Sequence, residues 1–89
     1  MSAPAAWQLP EQATFAQFNG LLTHLDGVGL FDAGRLQRFD TSALALLIEA
    51  RRRAQRSALP FRVINAPTRL RDLARLYGVE ELLFSDGTI

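Results

Sequence analysis

The triplet Asp40-Thr41-Ser42 carries the most chemistry in this sequence. Each of its residue types can accept a hydrogen bond from a free backbone N–H where a helix begins. One cap needs only one such residue, so the surplus hydroxyls leave two readings open. Either the triplet is ordinary capping, or it is a switch. A phosphate of about −2 charge at a helix start suits the helix dipole while it remakes the outer surface.

The rival sites are weaker. Glu80-Glu81 are adjacent, and adjacent helical residues do not face each other, so they do not read as a catalytic carboxylate pair. His24 is the single histidine and follows an apolar-periodic run, where a helix end favours it as a surface residue over a ligand or base. Arg51-Arg52-Arg53 invites a nucleic-acid reading, but no aromatic residues interleave with it and the net charge is only +1. Glu49 is placed to pair with these arginines at i+3 or i+4. Neither G-x-x-x-x-G-K-[ST] nor G-x-G-x-x-G occurs, which removes the phosphate-loop signal. With no cysteine, disulfides, thiolate nucleophiles and Cys-based metal sites are excluded. The residues therefore describe a binding protein, not an enzyme, with no cofactor, no metal and no nucleic-acid partner.

Several elements must position the triplet. Phe15, Phe18, Leu22 and Leu25 recur at helical spacing, which predicts a helix over 11–25 with Gly27 as its stop. Gly20 inside it costs about 1 kcal/mol. Val28-Gly29-Leu30-Phe31 reads as a buried strand ended by Asp32-Ala33-Gly34. Leu36 and Phe39 fit an irregular loop folding back on the core. A helix over 42–56 then presents Leu44, Leu47 and Ile48 on one face and arginines at its end, where the dipole favours positive charge. Phe61-Arg62-Val63-Ile64 is a second strand. Pro67 opens a last long helix with Leu70, Leu73, Ala74 and Tyr77 on one face and Gly78 as its cap. Residues 79–84 add an apolar turn or short strand before a tail over 85–89.

Alternating helices and strands imply a parallel sheet with right-handed crossovers. Two strands are too few for an independent sheet, so the segment around Trp7-Gln8-Leu9, the tail or a partner chain must add to it. The bulk numbers agree with one globular α/β domain over 1–89: 89 residues, 48% hydrophobic and 21% charged. Residues 1–10 lack a basic start followed by an apolar run, and the apolar run 43–48 is far too short to cross a bilayer. The expected location is the cytosol.

Phe39-Asp40-Thr41-Ser42-Ala43-Leu44-Ala45-Leu46-Leu47, the strand Phe61-Arg62-Val63-Ile64, and Leu70-Arg71-Asp72-Leu73-Ala74-Arg75-Leu76-Tyr77-Gly78-Val79 together resemble the STAS family. That family includes anti-sigma-factor antagonists and the STAS domains of sulfate transporters. The branch this chain is most similar to is the small STAS subunit of Mla-type phospholipid-transport ABC systems, often labelled an NTP-binding protein.

The resemblance implies a STAS fold whose partner-binding surface centres on Thr41, the position phosphorylated in switch members, with Ser42 beside it. Asp40 becomes the cap or loop anchor, and Ala43, Ala45, Leu46 and Arg38 become interface candidates. The implied partner is the cytoplasmic ATPase of the transporter, which would hold the protein at the inner membrane indirectly. Alternatives are an anti-sigma factor and its kinase, or nucleotide binding by the chain itself. Two departures stand out. The family's helix-opening glycine is Ala43 here, and the usual N-terminal β-hairpin is largely missing, which favours pairing with a partner or with a second copy of the chain.

Overall fold

The computed structural model describes residues 6–84. Of residues 1–9, expected to fray or form a short edge strand, 1–5 lie outside the described residues, as does the tail expected over 85–89. Strand β1 (Trp7–Gln8) is followed by β2 (Gln12–Ala13), helix α1 (Phe15–Leu22), β3 (Leu30–Asp32) and β4 (Arg38–Phe39). Helix α2 (Thr41–Arg56), β5 (Arg62–Ile64), α3 (Thr68–Leu76) and α4 (Glu80–Phe84) complete the order.

The main sheet has three parallel strands in the order β1-β3-β5. Trp7-Gln8 therefore supplies the missing strand, in register with Phe31-Asp32. Central β3 carries Phe31, which has no exposed surface and packs between the rings of Trp7 and Phe61. Leu9, Leu25, Leu46, Leu47, Leu70 and Leu83 are the other large, fully buried side chains. No helix among the described residues is long and apolar enough to cross a membrane.

The first helix begins at Phe15, not at residue 11, because Gln12-Ala13 is drawn into a parallel ladder with Arg38-Phe39. For the same reason the supposed irregular loop around Leu36 and Phe39 ends in a strand, with Leu36 buried behind it. The Gln37 and Arg38 amides both donate to the Glu11 carbonyl, at 2.8 and 2.9 Å, which starts this second sheet. Thr14-Phe15-Ala16-Gln17 has the capping-box spacing, and the box forms: the Gln17 side-chain carbonyl accepts the Thr14 amide at 2.9 Å.

Helix α2 starts one residue before the expected position, at Thr41, and buries Ala43, Leu44, Leu46, Leu47, Ala50 and Ala54. Pro67 stands at the N-cap of α3, one position before the helix it was expected to open. Leu70 and Ala74 of α3 are buried, but Tyr77 is 60% exposed, since the helix ends at Leu76 and Gly78 turns the chain with φ 76°. The following apolar segment is the short helix α4, anchored by Leu83.

Gly29 sits where β3 and β5 come together. A Cβ there would lie 2.2 Å from the Pro60 carbonyl oxygen, and the Gly29 carbonyl accepts the Arg62 amide at 2.8 Å. Gly20 is the opposite case, helical with nothing within 4 Å of an added Cβ. Gly29→Ala is expected to destabilise the fold by about 1–3 kcal/mol through overpacking against backbone. Gly20→Ala should stabilise it by about 0.5–1 kcal/mol. Urea denaturation of the two variants beside the parent chain measures both.

Candidate functional site

The parallel register of β2 with β4 pairs Ala13 with Phe39. The chain leaves both strands in the same direction, so two helix N-termini emerge side by side. Asp40 serves both. Its Oδ1 accepts the Ser42 amide at 2.8 Å, capping α2, and its Oδ2 accepts the Phe15 amide at 3.2 Å, at the start of α1. These N–H groups, that of Ser42 foremost, hold the Asp40 carboxyl below the ordinary aspartate range.

Thr41 is exposed in the first turn of α2. It lies on an open groove of about 510 Å³ lined by Phe39, Asp40 and Thr41 on one side and Arg69, Asp72, Leu73 and Leu76 of α3 on the other. The Arg69 guanidinium carbon sits 4.9 Å from the centre of the Phe39 ring. Leu76 is 77% exposed on the rim, and Phe15, tied to Asp40 by its own amide, is 80% exposed.

The other named residues divide. Ser42 is half-buried and its amide is the capped donor. Ala43 and Leu46, named as interface candidates, are 2% and 1% exposed and pack in the core, so their side chains are not on the surface. The helical period explains the correction: both fall on the inward stripe that also holds Leu47 and Ala50. Ala45 is exposed but lines a separate groove between α1 and α2, with Phe18, Leu22 and Ile48. Arg38 is exposed in β4, adjacent to Phe39.

The α3 wall was missed by the sequence reading, which followed the buried face of that helix. Its signal is nonetheless present: Arg69, Asp72, Leu73 and Leu76 are spaced i, i+3, i+4 and i+7, so they share one helix face. A more apolar hollow of about 530 Å³ lies at the amino ends of the sheet strands, against Trp7, Val28, Leu30, Leu59 and Pro60. It contains none of the triplet.

Elsewhere, Glu49 pairs with Arg52 at 2.7 Å and with Arg53 at 2.9 Å, the expected i+3 and i+4 contacts. Glu80 pairs with Arg75 at 3.1 Å. His24 is exposed and stacks on Trp7 with ring centres 5.3 Å apart. Among the described residues no cluster of three or more His, Cys, Asp or Glu side chains is arranged to hold a metal ion.

Fold and site together define a STAS domain, and the chain belongs to the STAS family. The family model that matches it is described as "Mlab, STAS domain" and covers residues 10–84, from just before β2 to the end of α4. No curated protein matches the chain. STAS domains generally act through protein–protein contacts and are generally non-catalytic, which gives this chain a protein-interaction role in general terms.

Removing the Asp40 carboxylate should weaken both helix starts. Because its folded pKa is depressed, its contribution is fully present above the ordinary aspartate range, near about pH 4, and is lost as pH falls through the lowered folded value. Asp40→Ala is expected to cost about 0.5–2 kcal/mol at pH 7, the usual range for a lost cap. The deficit should shrink as pH drops below about 4. Chemical denaturation of parent and variant across pH 2–7 (a range set by that carboxylate chemistry, about 4) checks the sign; a deficit that grows on acidification contradicts it.

Proposed function

We propose that this chain is a non-catalytic accessory subunit that docks on the cytoplasmic ATPase of a phospholipid-transporting, Mla-type ABC system and supports its assembly or activity. The observation that carries the proposal is the exposed Thr41 on an open groove lined by apolar and charged side chains, in a chain matched by the Mla-type STAS family model. Such a groove suits a protein partner, because Phe39, Leu73 and Leu76 offer apolar area while Asp40, Thr41, Arg69 and Asp72 supply polar groups that fix orientation. Attachment to the membrane is through the ATPase and the permease it serves, and the ATPase alone carries out nucleotide hydrolysis.

Thr41 acts in this reading as a docking contact. A bulky cation there blocks the groove while leaving the cap intact, since Asp40 accepts the backbone amide of Ser42 and the Thr41 side chain is exposed. Thr41→Arg should therefore abolish co-purification with the ATPase subunit and lower lipid transport, with thermal stability within about 0.5 kcal/mol of the parent. Co-expression, affinity purification and a lipid-transport assay decide the matter. An intact complex and unchanged transport in the variant contradict the proposal. Stoichiometric phosphorylation of Thr41 or Ser42 by a cognate kinase, seen by mass spectrometry, would favour an anti-sigma-factor antagonist instead.

A further inference from the structure

The apolar hollow of about 530 Å³ lies where the three main-sheet strands begin, at Trp7 of β1, Leu30 of β3 and Arg62 of β5. The segment from Gly27 to Gly29 and the corner at Leu59-Pro60 complete its lining. Trp7, Val28, Leu30 and Leu59 are only half-buried there, so the hollow keeps apolar surface in contact with water. It shares no residue with the Thr41 groove. Strand β5 runs from Arg62 at the hollow to Ile64, and the chain then turns into α3, the groove wall. A partner seated on the groove does not by that contact fill the hollow.

The lining restricts the occupant. Of its side chains only Trp7 and Arg62 carry polar atoms, and both are donors. The Val28, Leu59 and Arg62 amides already donate to the Leu25, Ala54 and Gly29 carbonyls. A peptide would bring a carbonyl at every residue to a lining whose side chains hold two donors. A second copy also fits poorly. An isologous contact would set the hollow against itself, concave face on concave face. The large apolar side chains that stand out, Phe15, Leu76, Tyr77 and Leu82, are none of them at the hollow.

Charge supplies the remaining constraint. Arg62 is exposed, and among the described residues the ion pairs engage Arg52, Arg53 and Arg75 and leave Arg62 with no carboxylate. Leu30 and Arg62 are direct cross-strand partners, so an apolar side chain and a guanidinium stand side by side at the hollow. The complementary molecule has one apolar chain and one anionic head. A planar carboxylate matches the guanidinium fork, and the volume is that of a small-ligand site.

We infer that this hollow binds a medium-chain fatty acid, with the alkyl chain against Trp7, Val28, Leu30 and Leu59 and the carboxylate on Arg62. The site is independent of the docking role proposed above.

Trp7 is the only tryptophan of the chain, so its emission reports occupancy directly. Decanoate, titrated into the full chain below its micellar concentration, should shift that emission and raise the melting temperature. Hexanoate, octanoate and decanoate should bind with rising affinity, by up to about fourfold for each added methylene. Decanol and decyltrimethylammonium carry the same chain without the anion and should bind about tenfold more weakly than decanoate. Arg62→Gln should erase the advantage of decanoate over decanol and leave decanol binding unchanged. Val28→Phe, with its fold checked by circular dichroism, should weaken decanoate and decanol alike. In ¹⁵N-resolved spectra of the parent, decanoate should move the Trp7 indole and the Val28 and Leu30 amides and leave those of Thr41 and Arg69 in place.

Trp7 emission that decanoate leaves unchanged overturns the inference. So does equal binding of decanoate, decanol and decyltrimethylammonium, or movement at Thr41 in place of Val28. If Trp7 emission changes with protein concentration alone, a second copy covers the hollow. If a spin label on Ser2→Cys broadens Val28 and Leu30 and decanoate does not relieve it, the first residues of the chain fill the hollow. Either of these results also overturns the fatty-acid site.

Discussion

Two helices begin at one carboxylate, and the arrangement of the Thr41 face depends on that. A parallel ladder of only two residue pairs, Gln12 with Arg38 and Ala13 with Phe39, sends the chain out of β2 and β4 in the same direction. The free N–H groups at the two helix starts then lie close together, and each lacks an intrahelical partner. Asp40 has two oxygens and gives one to each start. A serine or threonine at that position has a single oxygen and could not bridge in the same way.

The far end of the helix pair is tied separately. Arg53, three turns along α2, donates to the Leu22 carbonyl at the end of α1 at 2.7 Å and also pairs with Asp26 and Glu49. A helix rises about 1.5 Å per residue, so the ties at Asp40 and Arg53 are roughly 20 Å apart along α2. Between them the contact is apolar, with Phe18 and Leu22 of α1 lying along Ala45 and Ile48 of α2. A short α1 of eight residues would be marginal alone, and these contacts hold it in place.

Burial then decides which residues can meet a partner. The inward stripe of α2 is consumed by the core, which removes Ala43 and Leu46 from the surface and leaves Thr41 outside. The second wall of the groove comes from α3, almost thirty positions further along the chain, where Arg69 and Leu76 share the face opposite to the buried Leu70 and Ala74. A STAS domain of this kind works by presenting a shaped surface, and its surface is assembled from three helices around one cap. The small sheet beneath supplies the rigidity, with Phe31 closed in at its centre.

Much of this was written in local pattern. Periodicity and caps located α2, and the apolar runs located β3 and β5, because a strong amphipathic period and an N-cap act within a few residues. The capping box at Thr14 is equally local, but a helix started at residue 11 runs over it. The sequence by itself determined the alternation of helices and strands, the family, and the exposed hydroxyl at a helix start. Tertiary structure decided the rest: that Gln12-Ala13 is a strand, that Asp40 caps two helices, and that α3 walls the groove. Each of these depends on a contact between segments distant in the chain, such as the pairing of Ala13 with Phe39 or the closeness of Phe39 to Arg69, and neither partner's neighbours in sequence encode it.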